Sequence, residues 1–310
     1  LKVQPPADSE LKKLKNGSAI IGFLAPTVNK NLVEKLLAKK VTSFSMEFIP
    51  RITRAQSMDA LSSMSTVTGY KAVLMATEYF AKFFPLLMTA AGTVPPAGVF
   101  VLGAGVAGLQ AIATAKRLGA KVEAFDVRSA VKEQIESLGA RFVEMEMPED
   151  METKGGYAKE AGEEFIRKEH EAIGSRLAKT DIVISTAQVF GKKAPILLTE
   201  EMLKTMPIGA VIIDLAAEQG GNCEVTEAGK VVKKYGVTIL GPVNLPASMP
   251  THASQMYSRN VANLVKHLYQ AEDHKLDFDD EITGSACITH NGQLINEFVK
   301  KQISKLGERE

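Results

Sequence analysis

The sequence predicts an α/β protein of two Rossmann-like domains, the second a doubly wound parallel sheet. Three observations lead there. Short β-rich apolar runs alternate with segments of helical periodicity along most of the 310 residues. A glycine turn, Gly103-Ala-Gly105-Val-Ala-Gly108, joins one such run directly to a helix. An acidic residue, Asp126, ends the next strand about 20 residues further on.

Ser18 to Leu24 reads as a strand, Asn31 to Lys39 as a helix and Val41 to Phe48 as a second strand. From Gln56 to Phe83 the pattern is long and helical. Pro95 and Pro96 forbid its continuation, and a connection between domains is placed near Thr93 to Gly98. Val99 to Leu102, Val106 to Leu118 and Lys121 to Asp126 then form a strand, helix, strand unit. Further strands are expected at Arg141 to Glu144, Asp181 to Thr186, Ala210 to Leu215 and Val237 to Leu240, with helical segments between them. Right-handed crossovers convert such a series into a parallel sheet covered on both faces. Ser248 to Gln270 reads as a long helix, followed by a polar segment, a short strand and a final helix, Gln293 to Leu306, that brings the chain back to the first domain.

The domains are therefore drawn as residues 1–64 with 262–310, a first α/β domain, and residues 65–261, the nucleotide-binding domain. The opening Leu1-Lys-Val-Gln-Pro-Pro carries neither an initiator methionine nor a leader pattern, so the first domain is expected to lack its start.

Thirty-seven basic against 36 acidic side chains leave no surplus for a phosphate backbone, so nucleic acid is not an expected partner. Cys223 and Cys287 stand far apart, and neither they nor His170, His252, His267, His274 and His290 show ligand spacing, so no metal is expected. Phe83 to Ala115 carries no charge, yet Pro85, Pro95 and Pro96 interrupt it, and a spanning helix needs about 20 residues of unbroken ladder.

Each glycine of the turn has a physical task. Gly103 permits the tight turn, Gly105 lets the backbone approach a pyrophosphate, and Gly108 allows close packing of helix on strand. The helix that starts near Val106 presents unpaired N–H groups to the phosphates. Asp126, with Val127 and Arg128 after it, faces the adenosine ribose, where its charge favours NAD(H) over NADP(H). The plain alternative is a glycine-tightened turn with an aspartate that caps the next helix. Thr186, Ala187 and Gln188 close the fourth strand and are expected beside the cofactor.

The segment Pro50-Arg51-Ile-Thr-Arg-Ala-Gln56-Ser-Met-Asp59-Ala-Leu-Ser62 closely resembles the signature loop and helix of the NAD(H)-binding component of proton-translocating transhydrogenases. The likeness continues through Ala90 to Ala97, Gly103 to Gly139, Gly155 to Glu160, Gly191 to Pro195 and Ile213 to Asn222, and so covers most of the chain. The family implies a dimeric subunit that docks onto an NADP(H)-binding component, itself attached to a membrane proton channel. That places the chain in the cytoplasm, at the periphery of the inner membrane. On the same analogy Arg51, Gln56, Asp59 and Ser62 hold the nicotinamide end, and Tyr157, after Gly155-Gly156, belongs to a mobile loop over the nucleotide. The alternative for that pair of glycines is an ordinary flexible connection. Hydride transfer between two nicotinamides needs no acid or base, only close and dry positioning. An amide and a carboxylate one helical turn apart suit that task, although Thr53-Arg-Ala-Gln56 also fits a capping box.

The related alanine dehydrogenases are the rival reading. Their reaction needs a histidine acid/base, and the early strand here reads Ile21-Gly-Phe-Leu-Ala25 without one. Glu218 stands where those enzymes have aspartate. Asp214, Glu218 and Asn244 are read first as satisfied polar residues near turns, with a ribose or carboxamide partner as the alternative. Gln188 and Pro242-Val243 depart from the family, which more often has leucine and His-Thr there.

Overall fold

The computed structural model describes residues 1–145, 162–189, 192–269 and 275–307. Its strands are β1 (Ala19–Gly22), β2 (Thr42–Ser45), β3 (Leu87–Thr89), β4 (Gly92–Val94), β5 (Gly98–Leu102), β6 (Lys121–Phe125), β7 (Arg141–Phe142), β8 (Ile182–Ser185), β9 (Val211–Asp214), β10 (Val231–Lys234), β11 (Val237–Leu240), β12 (Cys287–His290) and β13 (Gln293–Leu294). The helices are α1 (Asp8–Lys13), α2 (Lys30–Ala38), α3 (Ala60–Tyr79), α4 (Val106–Arg117), α5 (Lys132–Ser137), α6 (Glu163–Leu177), α7 (Glu200–Leu203), α8 (Pro250–Leu268), α9 (Glu281–Ala286) and α10 (Glu297–Gly307). The chain divides into two compact units, Leu1–Met64 with Thr251–Glu310, and Ser65–Pro250.

In the second unit, seven strands lie in the order β10, β11, β9, β8, β5, β6, β7. All neighbours are parallel except β10, which pairs antiparallel with β11 at the edge. Alternate residues of each strand serve opposite faces. Val99 and Val101 of β5 join Ala124, Ile184 and Ile213 in a core that also takes Ala72, Val73 and Ala76 of α3 and Ile112 of α4. Phe100 and Leu102 point the other way, into a core with Phe125, Val183, Ile212 and, from α6, Ile173 and Leu177. Burial on both faces explains why these strands read as continuous apolar runs.

The chain leaves β5 towards β6 and β7, then crosses back to β8 on the other flank of β5. The order of strands therefore reverses between β5 and β8. In an open α/β sheet, that crevice at the carboxyl ends of the strands is where a ligand is received.

The first unit holds a four-stranded sheet in the order β1, β2, β12, β13, with β1 parallel and β12 antiparallel to β2. A buried hydroxyl pair, Ser43 Oγ and Thr289 Oγ1 at 2.7 Å, fastens β2 to β12. The expected strand Val41 to Phe48 stops at Ser45, because Met46–Phe48 turns into a 3-10 helix and Glu47 accepts the backbone N–H groups of Leu24 and Ala25. The expected long helix from Gln56 is also interrupted. Thr53–Met58 is a 3-10 helix, and α3 begins only after Asp59. The segment before Gly98 contains a hairpin, β3 with β4, where the sequence suggests a connection. No helix among the described residues is long and apolar enough to cross a membrane.

Candidate functional site

The glycine turn follows β5 and opens α4, and its three glycines meet three different environments. Gly103 has φ +91° and its N–H donates to the Phe125 carbonyl, while a Cβ there would lie 2.7 Å from Thr186 Oγ1. A Cβ at Gly108 would lie 1.9 Å from the Gly103 carbonyl oxygen, so the helix touches the turn backbone to backbone. A Cβ at Gly105 would meet nothing within 4 Å. Gly105 has φ −73°, which any residue adopts, so neither its own conformation nor the protein around it calls for glycine there. Space kept open at the start of a 12-residue helix, with no side chain capping that helix, is the cradle a pyrophosphate fits. Val106, the first helical residue, is 41% exposed.

Thr186 ties the next strand to this turn, donating from Oγ1 to the Gly103 carbonyl at 2.9 Å. Ala187 is held from behind by Asn222, a buried residue whose amide accepts from the Ala187 N–H and donates to the Ala187 and Pro195 carbonyls. Gln188 donates to the Leu215 carbonyl at 3.1 Å. Thr186, Ala187 and Gln188 thus follow β8 directly across from the turn, at the reversal of strand order.

Asp126 lies at the end of β6 with its side chain 6% exposed. Oδ2 accepts from the Ala104 N–H inside the glycine turn at 2.6 Å. Oδ1 accepts the backbone N–H and Nε of Arg128, each at 2.9 Å, and Nη2 of the same guanidinium reaches Oδ2 at 2.9 Å. The aspartate thus both braces the turn and carries an arginine fork, and ribose hydroxyls would compete with that fork. Val127 between them packs against the core that contains Phe100 and Phe125. Behind them, Glu169 of α6 is buried, and burial together with the charge of Asp126 pushes its carboxyl up to about 7.

In the first unit, Asp59 caps α3. Its Oδ1 accepts the Ser62 N–H at 2.8 Å and its Oδ2 the Ser62 hydroxyl at 2.5 Å. An aspartate that bonds the N–H of the first turn starts a new helix at its own position, which is why Gln56 and Asp59 do not share one continuous helix. Arg51 and Gln56 are exposed, Asp59 and Ser62 half-buried. The Gln56 side chain makes no hydrogen bond among the described residues, so the capping bond back to Thr53 does not form. Tyr157, with Gly155 and Gly156, lies outside the described residues.

Other polar residues have structural partners. Asp214 is fully buried and accepts from the N–H groups of Ala216, Asn222 and Cys223 and from Thr226 Oγ1. Glu218 is exposed. Asn244 takes φ +46°, a left-handed position that asparagine tolerates. Cys223 and Cys287 are buried free thiols, pushed up to about 11 and about 12 by that burial. No cluster of His, Cys, Asp and Glu able to hold a metal ion occurs among the described residues. A cavity of about 360 Å³, lined among others by Lys71, Tyr79, Lys230 and Val243, takes in no residue of the glycine turn. Spacing singles out the turn and its acid; it gives no sign of Asn222 or Glu169, whose roles depend on elements remote in sequence.

Family models for the N-terminal and C-terminal domains described as alanine dehydrogenase/PNT match residues 1–68 and 72–297. The chain is 48% identical over 304 residues to an NAD(P) transhydrogenase alpha-subunit polypeptide of Rhodospirillum rubrum, covering 95% of this chain and 79% of that protein. The crystal structure of a transhydrogenase from Sinorhizobium meliloti superposes with a TM-score of 0.82 at 40% identity, over 96% of this chain and 79% of that one. Alanine dehydrogenase 1 of Staphylococcus aureus is more distant, 27% identical over 96% of this chain and 77% of its own length.

Proposed function

The chain belongs to the alanine dehydrogenase/PNT family, and from that membership we infer that it is the NAD(H)-binding alpha subunit of an NAD(P) transhydrogenase, exchanging hydride with NADP(H) held on a partner component. The observation that carries this reading is the 48% identity to a transhydrogenase alpha subunit against 27% to an alanine dehydrogenase, over nearly the same length of chain.

When bound, NAD(H) supplies a hydride donor or acceptor at its nicotinamide ring. The chain's own residues have the work of holding and orienting. Gly103, Gly105, Val106 and Gly108, with the free N–H groups that open α4, receive the pyrophosphate. Asp126 accepts the ribose hydroxyls once the Arg128 fork yields, while its bond to Ala104 N–H keeps the turn in register. Val127, Thr186, Ala187 and Gln188 complete that side. At the nicotinamide end, Asp59 and Ser62 set the start of α3, and Arg51 and Gln56 present a cation and an amide. No proton has to move in such a transfer, which is consistent with the early strand Ile21 to Ala25 offering no histidine.

A membrane component couples this exchange to proton movement, and the chain attaches peripherally to it on the cytoplasmic side. A homodimer is the assembly we expect. Phe83, Leu86 and Met88, 57%, 50% and 80% exposed, are large apolar side chains left in solvent at and before β3, and a contact with another chain would cover them. Sedimentation should then give twice the 33.5 kDa of the chain; a single-chain mass contradicts the dimer.

The function itself is tested by mixing the purified chain with NADH and the NADP+-loaded partner component and following NADPH formation. Transfer should occur without ammonia or a keto acid. Ammonia-dependent turnover of pyruvate, with no exchange between nucleotides, would assign the chain to the dehydrogenases instead.

A further inference from the structure

The turn that carries Gln56 is fastened at several points, while Gln56 itself is not. Ala55 and Met58 point inward, 0% and 7% exposed, and join a core with Tyr257, Val261 and Leu264 of α8. The Ser57 carbonyl accepts two side-chain amides from the same helix, Asn260 Nδ2 at 2.9 Å and Asn263 Nδ2 at 3.1 Å. Arg54 pairs with Asp280 Oδ2 at 2.6 Å. The other oxygen of Asp280 caps α9 through the N–H groups of Ile282 and Thr283 and bonds His267 Nε2, also on α8, at 2.9 Å. Asn260, Asn263 and His267 recur at intervals of three and four, so they form one polar stripe along α8.

Anchors therefore grip residues 54, 55, 57 and 58, on both sides of position 56. Two side-chain donors on one carbonyl, together with the Arg54 ion pair, restrain the turn on both sides of Gln56, and such a satisfied network rigidifies the backbone it holds. Asn260 is 6% exposed and its Oδ1 finds no partner among the described residues, a loss of stability that accompanies placing its amide N–H on Ser57.

We propose that Asn260, Asn263 and Asp280 are positioning residues for Gln56: through Ser57 and Arg54 they hold the turn Thr53–Met58 in the conformation that presents the Gln56 amide to the nicotinamide end of the nucleotide. This rests on the transhydrogenase reading and deepens it. None of the three touches the nucleotide in this scheme, so their loss acts on transfer through the order of the turn. His267 contributes by steadying Asp280, which also stays in place through the cap on α9.

The test uses the whole chain in two variants. Asn260→Leu with Asn263→Ala removes both amides while keeping the buried volume, and Arg54→Gln removes the ion pair while leaving the cap on α9 intact. Amide hydrogen exchange across residues 52–58, measured without nucleotide, should quicken about tenfold in each variant, with exchange in β2 and β12 unchanged. Hydride transfer to the partner component should slow about tenfold while NADH affinity shifts less than about threefold. Unchanged exchange across 52–58, or faster exchange spread equally over β2 and β12, overturns the inference. Gln56→Asn run alongside separates the two levels. If it slows transfer and the anchor variants do not, the anchoring is wrong and the function stands; if Gln56→Asn is also without effect, the role given to the turn fails as well.

Discussion

Glu169 is 7% exposed and has no hydrogen-bond partner among the described residues, an uncommon situation for a carboxylate. Burial, and then the charge of Asp126, push it up to about 7 from an ordinary value of 4.5. The fold thus favours its neutral form. Its contribution to stability is complete below about pH 4.5 and is lost as pH rises through 7. A shift of this size corresponds to roughly 3 kcal/mol. Glu169→Gln should therefore match the native chain in denaturant unfolding near pH 4.5 and exceed its stability by up to roughly 3 kcal/mol at pH 8. A difference that does not change between the two pH values would contradict this. Asp126 was legible from its place after a strand and a glycine turn. Arg128 folding back on it was not, because a side chain two residues on can turn to ligand or to neighbour with the same sequence. Glu169 was hidden for another reason: its helix carries several acids, and nothing local marks which of them faces inward.

At the scale of the element, the glycine turn separates stability from binding. Gly105→Ala places a methyl where the protein offers no contact, at a φ of −73° that alanine accepts. The thermal midpoint should hold, or rise by the equivalent of about 0.4–1 kcal/mol, while NADH affinity falls about tenfold or more because the methyl stands in the pyrophosphate's space. Gly108→Ala meets the Gly103 carbonyl at 1.9 Å and must shift backbone, costing about 1–3 kcal/mol in stability. Thermal melts and NADH titrations of both variants decide it; normal binding by Gly105→Ala would remove the pyrophosphate from this turn. The buried strands β5, β6, β8, β9 and β11 were readable because they are buried on both faces. The hairpin of β3 and β4 was not, since its strands are three residues long, largely exposed, and set in a charge-free run that reads equally as linker. The break at Asp59 is a local competition, a cap defeating a periodic pattern that would otherwise run on.

Across the whole molecule, the pairing that builds the first unit joins β2 to β12, with Ser43 and Thr289 246 positions apart. The return of the C-terminal segment could be anticipated, but its partner and antiparallel direction could not, because strand register is set jointly by two segments and neither encodes it alone. What the whole chain is inferred to do converges on the turn Thr53–Met58, which offers an unbonded amide from an anchored backbone. The most direct measurement is a comparison of Gln56→Asn with the native chain, by NADH titration and by stopped-flow hydride transfer to the NADP+-loaded partner. Transfer should slow about tenfold or more while the NADH dissociation constant changes less than about threefold. Equal losses in both, or no loss in either, would contradict the role of Gln56 in aligning the two nucleotides.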